Sequence, residues 1–223
     1  MNLFGREIRA VIFDMDGTLL DSERLSQKAW DAGAREFGLS VSAELFLKMV
    51  GHRTVDCLRI LEENCGSKIP QEAIGVAANR HYNALVDAGV PVMPGARECV
   101  DFFRENAIPL GLATSTRRVN AEKKMIRAGL WEFFSAATCG DEVALGKPNP
   151  EIYAATAEKL GVPAENCLAI EDSPTGWASA HACGCAAILV PDMVEPTAFA
   201  RENAVAIFRN LRELASALRT KNA

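Results

Sequence analysis

Short apolar runs recur along this chain, and longer segments with helical spacing separate them. This alternation is the signature of an α/β fold built on a parallel sheet. The pattern therefore predicts a Rossmann-like, doubly wound parallel sheet. Buried strands are predicted at 10–13, 110–113, 167–170 and 186–190, with weaker strands at 136–139 and 204–208. The helices predicted between them cover roughly 96–105, 118–128, 150–160, 175–182 and 210–219.

One stretch, residues 22–89, breaks this alternation because it has helical spacing throughout and contains no convincing strand. Turn signals divide it into about four helices. Those signals are Gly38, Gly51, Gly66 and Pro70. A helical block inserted after the first strand indicates a small second domain. We therefore expect an α/β catalytic core at 1–20 and 93–223 and a four-helix cap domain at 21–92.

The composition is that of an ordinary globular chain, with 223 residues, a formal net charge of −5 and no basic run. This charge argues against nucleic acid as the main partner. No stretch approaches the ~20 apolar residues that span a bilayer, and the first ten residues lack the apolar region of a secretory signal. We expect a cytoplasmic protein that binds neither nucleic acid nor membranes and is a monomer or a weak dimer.

The seven cysteines are odd in number and irregularly spaced. The one close pair, Cys183 and Cys185, has no second cluster or histidine pair beside it. Small buried side chains in a reducing compartment explain this pattern better than zinc ligands or disulfides do.

Side chains of three chemical kinds follow the predicted strands: carboxylates, a hydroxyl and an ammonium group. They are Asp14 and Asp16 after the first strand, Thr114 after the second, Glu171 and Asp172 after the third, and Lys147 in the loop before a helix. In an open α/β sheet, ligands bind beyond the carboxyl ends of the strands. We therefore expect these four segments to meet at one edge of the sheet.

Carboxylates gathered in this way repel one another unless a cation lies between them. Mg²⁺ is the natural choice, because it binds through a few carboxylates, water and substrate phosphate. A lysine and a hydroxyl beside the ion would orient an anion with several oxygens, such as phosphate. One carboxylate could then attack phosphorus, and a second, two residues away, could transfer protons.

Four motifs resemble those of the haloacid-dehalogenase-like hydrolases. They are the run from Asp14 to Thr18, Thr114 after a hydrophobic strand, Lys147 in the run from Lys147 to Pro150, and the pair Glu171-Asp172. Together they cover most of the chain. The helical block resembles the cap of the β-phosphoglucomutase-like subgroup of that family.

The resemblance implies a role for each motif residue. Asp14 would be the nucleophile and Asp16 the general acid/base, while Thr114 and Lys147, with Ser115 beside them, would bind the phosphoryl group. Mg²⁺ would be held by the carboxylates of Asp14 and Asp172 and the main-chain carbonyl of Asp16, with Glu171 nearby, through water. In the cap, Arg53 in the loop 51–53 resembles an arginine that meets substrate phosphate.

Three functions remain open from the sequence. The first is a Mg²⁺-dependent phosphatase acting on a small phosphorylated metabolite such as a sugar or polyol phosphate. The second is a hexose-phosphate mutase of the β-phosphoglucomutase type, which Ser26 disfavours because the subgroup's mutases carry a histidine at the matching position. The third is a non-catalytic, receiver-like module phosphorylated on an aspartate, which the inserted helical block disfavours.

Overall fold

The computed structural model describes residues 1–50, 54–65 and 68–220. It divides into two compact units, Met1–Leu20 with Pro91–Ala223, and Asp21–Val90. The first unit contains the sheet, and the second is helical. Leu20 and Val92 form an isolated antiparallel bridge, so the two chain segments that border the inserted unit lie side by side.

The sheet of the first unit has six parallel strands in the order β5-β4-β3-β6-β7-β8, and a short antiparallel hairpin, β1-β2, precedes it. This arrangement confirms the predicted α/β class. The strands are β1 Asn2–Leu3, β2 Arg6–Glu7, β3 Ala10–Phe13, β4 Leu110–Thr114, β5 Ala136–Cys139, β6 Cys167–Glu171, β7 Ala186–Leu189 and β8 Ala206–Ile207. The hairpin was not predicted, and β8 is shorter than the predicted 204–208.

Strand β3 lies at the centre of this sheet and pairs with β4 on one side and β6 on the other. All four of its residues are fully buried. Strands covered on both faces have continuous apolar sequences, which is why these runs were recognisable in the sequence. The strand order reverses at β3, and an open sheet of this kind binds its ligands at such a point.

Helices cover the sheet. Those of the first unit are α5 Ala96–Glu105, α6 Arg118–Arg127, α7 Glu151–Leu160, α8 Pro174–Ala182, α9 Ala198–Asn203 and α10 Leu211–Thr220. Helix α7 packs on β3, β4 and β5, α8 packs on β6 and β7, and α5 packs against α10. Helix α9 was missed from the sequence, while the other five lie within a residue or so of the predicted bounds. Within the described ranges, no helix combines the length and the apolar character that crossing a bilayer requires.

The helices of the inserted unit are α1 Ser22–Arg35, α2 Ala43–Leu47, α3 Thr54–Cys65 and α4 Gln71–Ala88. Helix α1 packs along α4. Glu36, directly after α1, pairs with Arg80 and His81 of α4. Residues 51–53 and 66–67, which include two of the predicted turn signals, lie outside the described residues.

All seven cysteines are free thiols, and five of them are buried. Burial raises the pKa of Cys57 to about 11 and that of Cys99 to about 12. Thiols held protonated in this way behave as small apolar side chains.

Candidate active site

The ends of β3, β4 and β6 carry the predicted site residues. Because these strands are parallel neighbours, their carboxyl ends lie at the same edge of the sheet. Asp14 follows β3 directly, and its backbone N–H donates to the carbonyl of Ile170 in β6 at 3.0 Å. Thr114 is the last residue of β4, and Glu171 is the last residue of β6.

Lys147 joins these strand ends. Its Nζ donates to Asp14 Oδ1 at 2.6 Å, to Glu171 Oε1 at 2.6 Å and to the carbonyl of Ala113 at 3.0 Å. The side chains of Lys147, Asp14 and Glu171 are 7%, 8% and 0% exposed. A buried ammonium group with three oxygen partners is well satisfied, so its position is tightly fixed.

Glu171 is held from several sides. The buried hydroxyl of Tyr153 donates to Oε1 at 2.8 Å, and the hydroxyl of Ser173 donates to Oε2 at 3.2 Å. Gly176, in the first turn of α8, passes so close that an added Cβ would overlap the carboxylate of Glu171. This carboxylate therefore has little freedom to rotate.

Asp14, Glu171 and Asp172 form a group that could hold a metal ion, because one oxygen of each lies within 4.8 Å of the others. The hydroxyl of Thr18 donates to Asp172 Oδ1 at 3.2 Å. Gly17 has φ 86°, a conformation that favours glycine, and a side chain there would collide with Asp172. The Asp-x-Asp-Gly-Thr turn thus fits around this group of carboxylates.

The carboxylate of Asp16 faces a different set of partners. It accepts a hydrogen bond from the hydroxyl of Thr116 at 2.6 Å and one from Nζ of Lys124 at 2.8 Å. Its carboxylate is not a member of the three-carboxylate group within the described residues. Any metal contact from Asp16 would therefore come through its main-chain carbonyl, as the family resemblance implies.

Burial raises the pKa values of two acids of this group, Asp14 and Asp172. Desolvation, opposed by Lys147 and reinforced by Glu171, raises the pKa of Asp14 to about 8. Desolvation and the charges of Asp14 and Glu171 raise the pKa of Asp172 well above its usual range. The pKa of Lys147 is raised by the same two acids, against the effect of burial. The raised pKa values of Asp14 and Asp172 favour their protonated forms, whereas the raised pKa of Lys147 keeps its ammonium group protonated.

The net charge of the site favours binding of a divalent cation. Among the described residues, the charged side chains at this edge include four acids and two lysines: Asp14, Asp16, Glu171, Asp172, Lys124 and Lys147. When all are ionised, two negative charges remain uncompensated. Hard carboxylate oxygens are the ligands that Mg²⁺ prefers, so the residues present fit this ion.

One family model, described as haloacid dehalogenase-like hydrolase, matches residues 8–184. The chain belongs to this family. That assignment confirms the resemblance inferred from the four motifs. It also removes the receiver-like alternative, because the matched family consists of hydrolases.

Curated relatives and solved structures agree with the assignment. Protein CbbY of Cupriavidus necator is 35% identical over 212 residues, which cover 88% of this chain and 81% of that protein. A phosphorylated carbohydrates phosphatase of Thermotoga maritima is 33% identical over 177 residues, which cover 79% and 82%. A crystal structure from T. maritima, provisionally named β-phosphoglucomutase, has a TM-score of 0.82 and 30% identity over 96% of this chain and 99% of that one. The chain is thus a phosphatase enzyme of the β-phosphoglucomutase-like subgroup of this family.

The remaining predicted site residues of this hydrolase are Thr114, Ser115 and Arg53. Thr114 is buried, and its hydroxyl accepts from the backbone N–H of Thr116 at 3.1 Å. Ser115 is exposed. Arg53 lies outside the described residues, so its predicted contact with substrate phosphate stays a prediction.

Three residues near the predicted acids were missed from the sequence: Thr116, Lys124 and Tyr153. Lys124 carried a signal, because it lies on the face of α6 that also presents the buried residues Ala121 and Met125. A lysine on the apolar face of a helix needs a partner in the interior. Tyr153 looked like an ordinary core aromatic, and its hydroxyl gave no sequence signal.

Proposed function

We propose that this hydrolase is a Mg²⁺-dependent phosphatase that acts on a small phosphorylated metabolite, a sugar or polyol phosphate, through an aspartyl-phosphate on Asp14. The observation that carries the proposal is the position of Lys147. Its ammonium group contacts Asp14 and Glu171, which are two of the three carboxylates whose spacing suits a metal ion. Such a site suits a substrate group with several negatively charged oxygens.

In the first half of the reaction, an oxygen of Asp14 attacks phosphorus and the bond from phosphorus to the ester oxygen breaks. The carboxyl group of Asp16 gives its proton to that leaving oxygen, and an alcohol departs. Lys147 neutralises the charge on the phosphoryl oxygens, and Thr114 contributes a hydroxyl at the end of β4.

In the second half, the carboxylate of Asp16 takes a proton from a water molecule as the water oxygen attacks phosphorus. The bond from phosphorus to Asp14 breaks, and inorganic phosphate leaves. Asp16 then again carries the proton that the next cycle needs. Asp14 returns to its ionised form, which the positive charge of Lys147 favours.

Mg²⁺ would be held by the carboxylates of Asp14 and Asp172 and the carbonyl of Asp16, with Glu171 nearby, through water. When bound, it supplies positive charge that stabilises the phosphoryl oxygens during transfer. The same charge would lower the raised pKa of Asp14, whose nucleophilic form is the carboxylate. Burial of these carboxylates and their surplus of negative charge support this assignment.

The choice of a carbohydrate-like substrate rests on the relatives. One of them is named as a phosphatase of phosphorylated carbohydrates. We propose that residues 21–92 act as a cap that contributes substrate contacts and that 1–20 with 93–223 act as the catalytic core. Ser26 of α1, where the subgroup's mutases carry histidine, supports transfer of the phosphoryl group to water.

The test is hydrolysis of p-nitrophenyl phosphate and of a panel of sugar and polyol phosphates, with Mg²⁺ and with chelator. We expect turnover only with the metal, and a loss of at least ~10³-fold in Asp14→Asn, which removes the nucleophile. Asp101→Asn is the matched control, because Asp101 lies on α5 and pairs with Arg104. Full activity in Asp14→Asn would reject the proposed nucleophile.

The fold neighbour named β-phosphoglucomutase favours one second candidate, a hexose-phosphate mutase. Purified protein would be incubated with a hexose phosphate and a bisphosphate primer. Isomer interconversion without release of phosphate would support the mutase. Release of phosphate without interconversion would reject it.

A further inference from the structure

Lys124 is an unusual residue to find inside α6. Its side chain is only 7% exposed, and its neighbours on the same helical face, Ala121 and Met125, are fully buried. An aliphatic side chain would fill this place without the cost of removing an ammonium group from water. The reason for a charged residue at this position must therefore lie in the group that it contacts.

That partner is the carboxylate of Asp16. Nζ of Lys124 donates to Oδ1 at 2.8 Å, while the hydroxyl of Thr116 donates to Oδ2 at 2.6 Å. The two donors come from different segments, α6 and the loop after β4. Both oxygens of one carboxylate are thus held, which fixes its position and the rotation of its plane.

Such fixing matters because Asp16 lies beyond the end of β3, where it forms only an isolated bridge with Leu20, and its side chain is 21% exposed. A proton-transfer group must lie within hydrogen-bonding distance of the reacting oxygen. A side chain that is partly open to solvent has several rotamers, and most of them would point elsewhere. Two directional donors select one of them before the substrate arrives.

We propose that Lys124 is a positioning residue that, together with Thr116, holds the Asp16 carboxylate where it exchanges protons with the leaving group and with water. The inference rests on the proposed acid/base role of Asp16. Lys124 itself does not touch the phosphoryl group in this assignment. It acts through Asp16.

The test compares Lys124→Met, Asp16→Asn and the double variant on two Mg²⁺-dependent substrates, an alkyl phosphate and p-nitrophenyl phosphate. The parameter is kcat/KM, which reports the steps up to the first phosphoryl transfer. An alkoxide leaving group needs a proton, whereas p-nitrophenolate departs without one. Misplacing a catalytic group by about 1 Å can cost ~10²-fold in rate.

We expect Lys124→Met to lower kcat/KM for the alkyl phosphate by about 10- to 100-fold and for p-nitrophenyl phosphate by less than about 3-fold. In the Asp16→Asn background, Lys124→Met should have no further effect, since residues that act as one unit are not additive. Lys159→Met is the matched control. Lys159 lies on α7, and its replacement removes the same charge together with an ion pair to Glu142. Circular dichroism and the thermal midpoint would establish that all variants fold.

The outcomes separate the two hypotheses. Equal losses on both substrates, or a further loss in the Asp16→Asn background, would make Lys124 a general structural residue and overturn the inference. Unchanged kcat/KM in Lys124→Met beside a defective Asp16→Asn would also overturn it, while leaving the role of Asp16 intact. An active Asp16→Asn would instead reject the acid/base assignment on which the inference rests.

Discussion

The hydroxyl of Tyr153 offers a quantitative test of how this site is held. Tyr153 is fully buried, and its hydroxyl donates to Glu171 Oε1 at 2.8 Å. Burial and the charge of Glu171 raise the pKa of Tyr153 well above its usual value, so the hydroxyl keeps its proton and acts as the donor. Tyr153→Phe removes this one atom. The ring, whose centroid lies 5.3 Å from Nζ of Lys147, stays in place.

A hydrogen bond to a charged group contributes about 1.5–3 kcal/mol. In a protein of this length, 1 kcal/mol corresponds to roughly 2–4 °C in the midpoint of thermal unfolding. We therefore expect Tyr153→Phe to lower the midpoint in chelator by about 3–12 °C. Loss of a group that orients a metal ligand typically lowers metal affinity by about 10- to 100-fold, so Mg²⁺ affinity should fall within that range.

Thermal unfolding in chelator and titration of activity with Mg²⁺ measure the two quantities. The chain contains one other tyrosine, the partly exposed Tyr82 of α4, and Tyr82→Phe makes the same chemical change outside the sheet unit. That control changes no residue of the candidate site, so it should leave Mg²⁺ affinity unchanged. If Tyr153→Phe matched the control in both stability and Mg²⁺ affinity, the hydroxyl would not be holding Glu171.

Two further predictions concern the same carboxylates. The pKa of Asp14 is raised from 3.8 to about 8 in the folded protein, so the folded state retains a proton that the unfolded chain releases. The metal-free protein should therefore lose stability as pH rises from about 4 to 8, and Mg²⁺ should raise the unfolding midpoint more at pH 8 than at pH 6; equal midpoint shifts would contradict this. Gly176→Ala would drive a methyl group into Glu171, which we expect to cost about 1–3 kcal/mol and to weaken Mg²⁺ binding. Gly146→Ala adds the same methyl group in open space and is the control for unfolding measurements.

The strand ends were predictable from the sequence because they depend on a local rule. Continuous apolar runs mark strands that are buried on both faces, and in a parallel sheet their carboxyl ends share one edge. The rule brought Asp14, Thr114 and Glu171 together without any knowledge of strand order. Four motif matches then supplied the family.

The residues that support the acids were not predictable in this way. Tyr153 and Lys124 reach the site from the flanks of helices, and their reach depends on how each helix is rotated against the sheet. A shift of one residue in helical register turns a side chain by about 100°. Only the packed structure fixes that rotation. Contacts made by helix side chains therefore cannot be predicted from the sequence, whereas contacts at strand ends can. The short hairpin β1-β2 was hidden for another reason, since two-residue strands carry no detectable period.

The neighbouring chain segments at the border of the inserted unit have a consequence for how this enzyme can change. Leu20 bridges Val92, and the backbone N–H of Met93 donates to the carbonyl of Leu19 at 2.9 Å. Antiparallel partners stand about 4.5–5.5 Å apart, a gap that a hairpin turn of about two to five residues closes. The helical unit is therefore inserted where a simple turn would suffice. Under the proposed role of the insert as a source of substrate contacts, replacing residues 21–90 would change the substrate while the residues at the strand ends are kept.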